Sequence, residues 1–266
     1  MRREILKVEH LNKSYISKKN LFSVAREHIA VKDVSFSLYD GEVLGIVGES
    51  GCGKSTLVKS VIRMIEPDSG KIELFGKDFL KLKGKELKQT RRNIRMIFQD
   101  PYSSLNPRMT VYDIIAEPLT IERKYTREQI SNKVKATMKR VGLDLSYLRR
   151  YPHEFSGGQR QRIVIARAII TDPRIVICDE PVSALDVSIQ AKVLNLLNEL
   201  KEELGISYIF ISHDLEVVRH IADRVIVMRD GEFVEEGTCS EVFDLARSSY
   251  TKELIDSIPT IPDFAS

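Results

Sequence analysis

Alternation of apolar and polar side chains marks Ile5 to Leu11, Val34 to Leu38 and Lys71 to Phe75 as strands with one face on a core. Val43 to Val47 reads as a buried strand, and Arg174 to Cys178 is the near-continuous apolar run of a strand covered on both faces, as in parallel sheets. Short strands are also predicted at Ile94 to Phe98 and Ser207 to Ile211. Helical periodicity governs other stretches. Helices are predicted from Thr56 to Ile65, from Ser156 as N-cap through Ile170, and from Val187 to Leu204 with Gly205 as the stop. Ile130, Val134, Met138 and Val141 share one helical face inside a segment, Thr110 to Ile170, that reads as a helical insertion.

Turn chemistry separates these elements. Asp40-Gly41 and Asp230-Gly231 predict hairpin turns, Pro67 to Gly70 and Gly76 predict turns, and Thr171-Asp172-Pro173 breaks a helix. Ile16 to Ala30 is polar and irregular and is predicted as a loop, with Tyr15 just before it. Thr238 to Glu241 resembles a capping box for a carboxy-terminal helix. Antiparallel strands therefore open the chain, and strands alternating with helices follow, which calls for a parallel sheet.

Composition narrows the class. The 266 residues, 42% of them hydrophobic, suffice for one large domain or a core with a smaller lobe. Lys and Arg number 41 against 38 Asp and Glu, and a formal charge of +3 is too small to make nucleic acid the main ligand. Nucleotide is the better match. Cys52, Cys178 and Cys239 lack metal-ligand spacing, and an odd number of dispersed thiols fits a reducing, cytoplasmic setting. The amino terminus lacks the apolar stretch of a signal peptide, and no apolar run of about 18 residues occurs, so other subunits would bring the chain to a membrane. Basic residues crowd Lys77 to Arg95; a solvated face is the first reading, a partner or lipid contact the second.

The chemistry centres on Gly48 to Thr56, which matches G-x-x-x-x-G-K-[ST] between a buried strand and a helix. Gly48, Gly51 and Gly53, with Ser50, would turn backbone N–H groups toward phosphate oxygens, and Thr56 opens the helix whose positive end faces them. Lys54 would reach the terminal phosphates and Ser55 would hold Mg²⁺. Asp179, ending an apolar strand, is suited to complete the Mg²⁺ shell. Glu180 could accept a proton from, or orient, the water that attacks a γ-phosphate. Gln99 could ligate Mg²⁺ or position water, and His213 could hydrogen-bond the γ-phosphate.

The order phosphate loop, Gln99, Ser156-Gly157-Gly158-Gln159, Asp179-Glu180, Asp186, His213 resembles the nucleotide-binding subunit of an ABC transporter over nearly the whole chain. The resemblance implies an α/β fold: a P-loop NTPase core with a mainly parallel sheet, an N-terminal antiparallel β lobe and a helical insertion. It implies an ATPase domain over 1–258, a helical subdomain over about 105–170 and a C-terminal tail over 259–266. ATP with Mg²⁺ would bind, Tyr15 would stack on adenine, and Ser156, Gly157, Gly158 and Gln159 would cap the ATP of a second ATPase subunit. Gly-Gly at a helix start has its own logic, since it lets a phosphate come close to exposed N–H groups. Asp186, in the loop Ser183 to Asp186, would contact that partner. Phe155 stands where the family usually has Leu.

A narrower resemblance lies in Phe98-Gln99-Asp100-Pro101 through Ser104-Leu105-Asn106-Pro107-Arg108, and in Tyr250-Thr251-Lys252 to Ile258-Pro259. It is similar to ATPase subunits of oligopeptide, dipeptide and nickel importers, and, without a terminal cysteine cluster, to the shorter of the two usually paired. The implied function is ATP hydrolysis driving solute import from the cytoplasmic face of the membrane. The implied partners are a second, different ATPase, two transmembrane permease subunits and, indirectly, an extracytoplasmic solute-binding protein. Importers of nickel complexes or oligosaccharides are alternatives, as is an ABC ATPase outside transport. A DNA-repair or chromosome ATPase would need a long coiled coil between Thr56 and Ser156, which is absent.

Overall fold

A computed structural model describes residues 3–17 and 26–257. In chain order, the first elements are β1 (Glu4–Ser17), β2 (Arg26–Tyr39), β3 (Val43–Val47), α1 (Lys54–Val61), β4 (Ser69–Leu74), β5 (Lys77–Asp78), α2 (Gly84–Arg91) and β6 (Ile94–Ile97). A helical stretch follows: α3 (Pro101–Ser104), α4 (Val111–Glu122), α5 (Arg127–Arg140), two short 3₁₀ turns, and α6 (Gly157–Ile169). The chain then runs through β7 (Ile175–Asp179), α7 (Val187–Leu204), β8 (Ser207–Ile211), α8 (Leu215–Ile221), β9 (Arg224–Arg229), β10 (Glu232–Thr238), α9 (Cys239–Asp244) and α10 (Ser249–Asp256).

Two sheets carry this chain. One is antiparallel in the order β2-β1-β4-β5; the other runs β10-β9-β3-β8-β7-β6, parallel except for the β9–β10 hairpin at its edge. The central strands β3, β7 and β8 are buried at every position. Their period of two sorts side chains into two cores. Leu44, Ile46, Ile175, Ile177, Ile209 and Ile211 face the antiparallel sheet and α1. Val43, Val47, Val176, Cys178, Tyr208 and Phe210 face the helical side, where Ile114, Ile115, Val134, Met138, Ile163 and Val164 pack. Strand ends are thereby fixed between two apolar layers, and loops leaving those ends inherit the rigidity.

The sequence expectations hold for this plan, with corrections at the connections. Asp40-Gly41 is a turn but not a hairpin, because β2 and β3 belong to different sheets. Ile16 to Ala30 is not a loop throughout: Ile16 and Ser17 continue β1, and Arg26 to Ala30 begin β2, with Tyr15 opposite His28. The central part of that stretch lies outside the described residues, as do the run's end at Ile258-Pro259 and the tail 259–266. Helix α1 starts at Lys54 rather than Thr56 and stops at Val61, because Arg63 adopts a left-handed φ of 55° while its guanidinium donates to the Phe79 and Leu82 carbonyls. The basic stretch contains a helix, α2, that its dense lysines obscured. Among the described residues no helix is long and apolar enough to cross a membrane.

Candidate active site

The loop from Gly48 to Gly53 leaves β3 and turns into α1. Gly53 takes φ 110° and lies so close to β2 that a Cβ would collide with the Ala30 carbonyl oxygen, so only glycine fits there. Lys54 is 5% exposed. Its ammonium donates to the carbonyl oxygens of Gly48 at 2.7 Å and Glu49 at 2.8 Å, which holds a positive charge inside the loop. From behind, the Glu49 N–H donates to the Tyr250 hydroxyl of α10 at 3.4 Å.

The parallel strands bring three polar residues to the same place. Ser55 Oγ donates to Asp179 Oδ1 at 3.0 Å. Burial pushes the Asp179 carboxyl above the usual carboxylate range, and the Ser55 hydrogen bond pulls it partly back. Glu180, the next residue, has φ 49°, an uncommon conformation for a non-glycine residue and one that clusters at functional sites. Its N–H donates to the Ile211 carbonyl at the end of β8. Its Oε2 accepts from Gln99 Nε2 at 2.8 Å and lies 3.1 Å from His213 Nδ1. The carboxylate side chain is 15% exposed. Strand ends β6, β7 and β8 thus converge on one oxygen.

A cleft of about 490 Å³ is bounded by Tyr15, His28, Ala30, Ser50, Gly51, Gly53, Lys54, Ser55, Thr56, Gln99, Glu180 and His213, with Gly48 and the buried Asp179 outside its lining. Lys54 and the glycine-rich loop contribute to its lining, as do the Tyr15 and His28 side chains of β1 and β2. The Glu180 carboxylate lies in the cleft between Gln99 and His213. The loop expectation for this stretch misses His28 and Ala30; the short apolar, partly β-branched run Ile29 to Val31 is the available strand signal. Tyr250, behind the loop, carried no local signal for its contact.

Metal chemistry can be tested against the donors present. Among the described residues, no group of three or more His, Cys, Asp or Glu side chains is arranged to hold a metal ion. Ser55 and Asp179 instead offer a hydroxyl and a carboxylate side by side, with the Gln99 amide nearby in the cleft. Such oxygen donors suit Mg²⁺, which commonly takes only one or two carboxylates and completes its shell with substrate phosphates and water.

The Ser156 to Gln159 segment and Asp186 do not line this cleft. Ser156 caps α6 in a reciprocal box: its hydroxyl accepts the Gln159 N–H at 3.4 Å and Gln159 Oε1 accepts the Ser156 N–H at 3.1 Å. Asp186 caps α7 by accepting the Ile189 N–H at 3.0 Å, and the Ser188 hydroxyl first, then this N–H, keeps its carboxyl below the usual range. The Gly157-Gly158 start of α6 thus lies apart from the cleft, with Gly158 buried.

Comparison with known proteins places these features. A family model described as ABC transporter matches residues 31–183. The chain is similar to the oligopeptide transport ATP-binding protein OppF of Haemophilus influenzae, 54% identical over 263 residues, which spans 97% of this chain and 79% of that one. It is also similar to the dipeptide transport ATP-binding protein DppF of Escherichia coli, 48% identical over 264 residues, spanning 99% and 79%. Among solved structures, cbiO1 from Clostridium perfringens, part of the transporter complex cbiONQ, superposes with a TM-score of 0.79 at 31% identity, covering 91% of each chain. A dimer of the ATP-binding cassette MJ0796 with ADP and Pi gives 0.77 at 29% identity, covering 88% of this chain and 99% of that one.

Proposed function

From the premise that the chain belongs to the ABC transporter family, as an ATP-binding and ATP-hydrolysing subunit, we propose that it powers import of oligopeptides or dipeptides. The solute class rests on the printed functions of relatives that are about half identical over nearly the whole chain. The observation that carries the chemistry is Glu180 held by Gln99 and His213 beside a phosphate loop whose Ser55 touches Asp179.

In this reading Lys54 and the loop N–H groups bind the triphosphate, and Tyr15 stacks on the adenine. Ser55 and Asp179, with Gln99, would hold Mg²⁺, which would supply neutralisation of developing phosphate charge. Glu180 orients the attacking water and takes its proton, His213 steadies the γ-phosphate, and Gln99 fixes the carboxylate. Catalysis is then mainly positioning and electrostatics. Ser156, Gly157, Gly158 and Gln159 cover the ATP of a second subunit, and the loop ending at Asp186 meets that subunit. This accounts for their lying outside the cleft of their own chain. The unit spans 1–258, with a helical subdomain of about 105–170.

The assembly we propose is a heterodimer of ATPases on the cytoplasmic face of the membrane. It carries two permease subunits and is served by an extracytoplasmic receptor. Co-expression with membrane subunits encoded nearby tests it. Co-purification together with peptide-stimulated ATPase activity in vesicles is the supporting result. An active ATPase that never associates with membrane subunits would sink the transport reading while leaving the enzyme intact.

A further inference from the structure

Tyr15 and His28 are opposite one another in the β1–β2 register. Directly opposed residues of an antiparallel pair project to the same face, and both side chains line the phosphate-loop cleft. The Lys13 ammonium lies 5.8 Å from the centroid of the Tyr15 ring, and Lys13 is itself anchored to Asp68 at 2.6 Å. Two residues beyond His28, Ala30 touches the start of α1 through the close approach of its carbonyl to Gly53. Ala30 is the extra residue at a register shift between the Ser14–Ile29 and Lys13–Val31 pairs, and both it and His28 line the cleft. His28 therefore lines the same cleft two residues along β2 from the Ala30–Gly53 contact, at the position paired with Tyr15.

We propose that His28 is a second nucleoside-contacting residue, its imidazole ring extending the Tyr15 platform so that the base and ribose of a purine nucleotide lie on two adjacent rings. This rests on the reading of the cleft as an ATP site and adds a residue to it. The wall position accounts for a contact with the nucleoside rather than the phosphates, since Ala30 and Gly53 already close the wall at the phosphate end. An exposed histidine opposite an exposed tyrosine would otherwise leave two rings facing water inside a cleft.

The experiment is calorimetric titration of the full chain with ATP, ADP and inorganic tripolyphosphate. His28→Ala should weaken ATP and ADP about tenfold, in line with the loss of one stacking contact, and leave tripolyphosphate unchanged. His28→Phe should recover most of the loss. Lys54→Ala should weaken all three ligands. ATP affinity unchanged in His28→Ala while Lys54→Ala loses binding would overturn the His28 assignment and leave the ATP site standing. An equal loss for tripolyphosphate would also overturn it, because His28 would then act through the loop. Recovery by His28→Gln but not by His28→Phe would replace ring contact with hydrogen bonding and overturn the platform. A wild-type chain that binds none of the three would remove the ATP reading and this inference together.

Discussion

A Cβ added to Gly158 would stand 2.5 Å from Cγ2 of Ile189, so the second residue of α6 and the first turn of α7 meet with no room for a methyl group. The glycine is therefore needed for packing inside the chain. Gly158→Ala should destabilise by about 1–3 kcal/mol, the usual cost of overpacking. Ile189→Ala removes the opposing methyl and should restore part of that loss, giving a non-additive double-mutant cycle in urea unfolding. Additive effects would show that the two residues do not compete for space.

Asp179 should make stability depend on pH. Its folded-state proton affinity is raised by burial, so it favours the folded chain below the ordinary carboxylate value of about 4. That advantage is lost as pH rises through the raised folded value, and at pH ~7 the buried carboxylate is a cost. Asp179→Asn keeps an acceptor for Ser55 and drops the charge. In nucleotide-free protein its thermal midpoint should exceed wild type at neutral pH, and the gain should shrink toward pH ~4. A gain of the same size at both ends of the pH range would rule this explanation out. Mg-ATP binding by the same variant should be weaker, since one oxygen donor has lost its charge.

Tyr250 fastens the carboxy-terminal helix to the phosphate loop. Its ring is 5% exposed and lies 4.6 Å from the Arg229 guanidinium, and its hydroxyl accepts from Glu49 N–H. At 3.4 Å that hydrogen bond is long, so Tyr250→Phe should cost less than about 1 kcal/mol in urea unfolding. Tyr250→Ala also empties the ring's volume and should cost about 3–5 kcal/mol. ATP affinity should fall with the alanine variant and hardly change with phenylalanine. Comparable losses in the two would mean that the hydroxyl, not the packing, holds the loop.

Much of this arrangement could be read before any coordinates. Strand patterns around Val43 and Ile175 are insensitive to context because both faces are buried, and Lys54, Asp179 and Glu180 sit at their ends by chain order alone. What escaped was non-local. His28 belongs to a strand whose alternation is interrupted by register shifts against β1, and only the folded hairpin shows it opposite Tyr15. Asp40-Gly41 has the residues of a hairpin turn, but which sheets the flanking strands join is decided by cores formed over a hundred residues later. The Gly158–Ile189 contact joins two helices with no sequence pattern linking them. Local signals therefore placed the loop and strand-end residues of the cleft, and long-range packing placed His28 and Ala30 on its wall.

Replacing Glu180 should separate binding from chemistry. Its Oε2 is shared between Gln99 and His213, and its left-handed backbone is held by the N–H to the Ile211 carbonyl. Glu180→Gln preserves the side-chain length and leaves Lys54, Ser55 and Asp179 untouched, so Mg-ATP should bind as before. Loss of the carboxylate should slow phosphate release by about 10²–10⁴-fold, the range for removing a general base. Because Ser156 to Gln159 lie outside their own chain's cleft and are proposed to cover the partner's ATP, slow hydrolysis should prolong the closed dimer. Size-exclusion chromatography of the variant with its partner ATPase, in Mg-ATP against Mg-ADP, should show dimer only with ATP. Wild-type phosphate release would take Glu180 out of the mechanism. A variant that binds ATP, does not hydrolyse it and still elutes as a monomer would contradict the shared-nucleotide dimer.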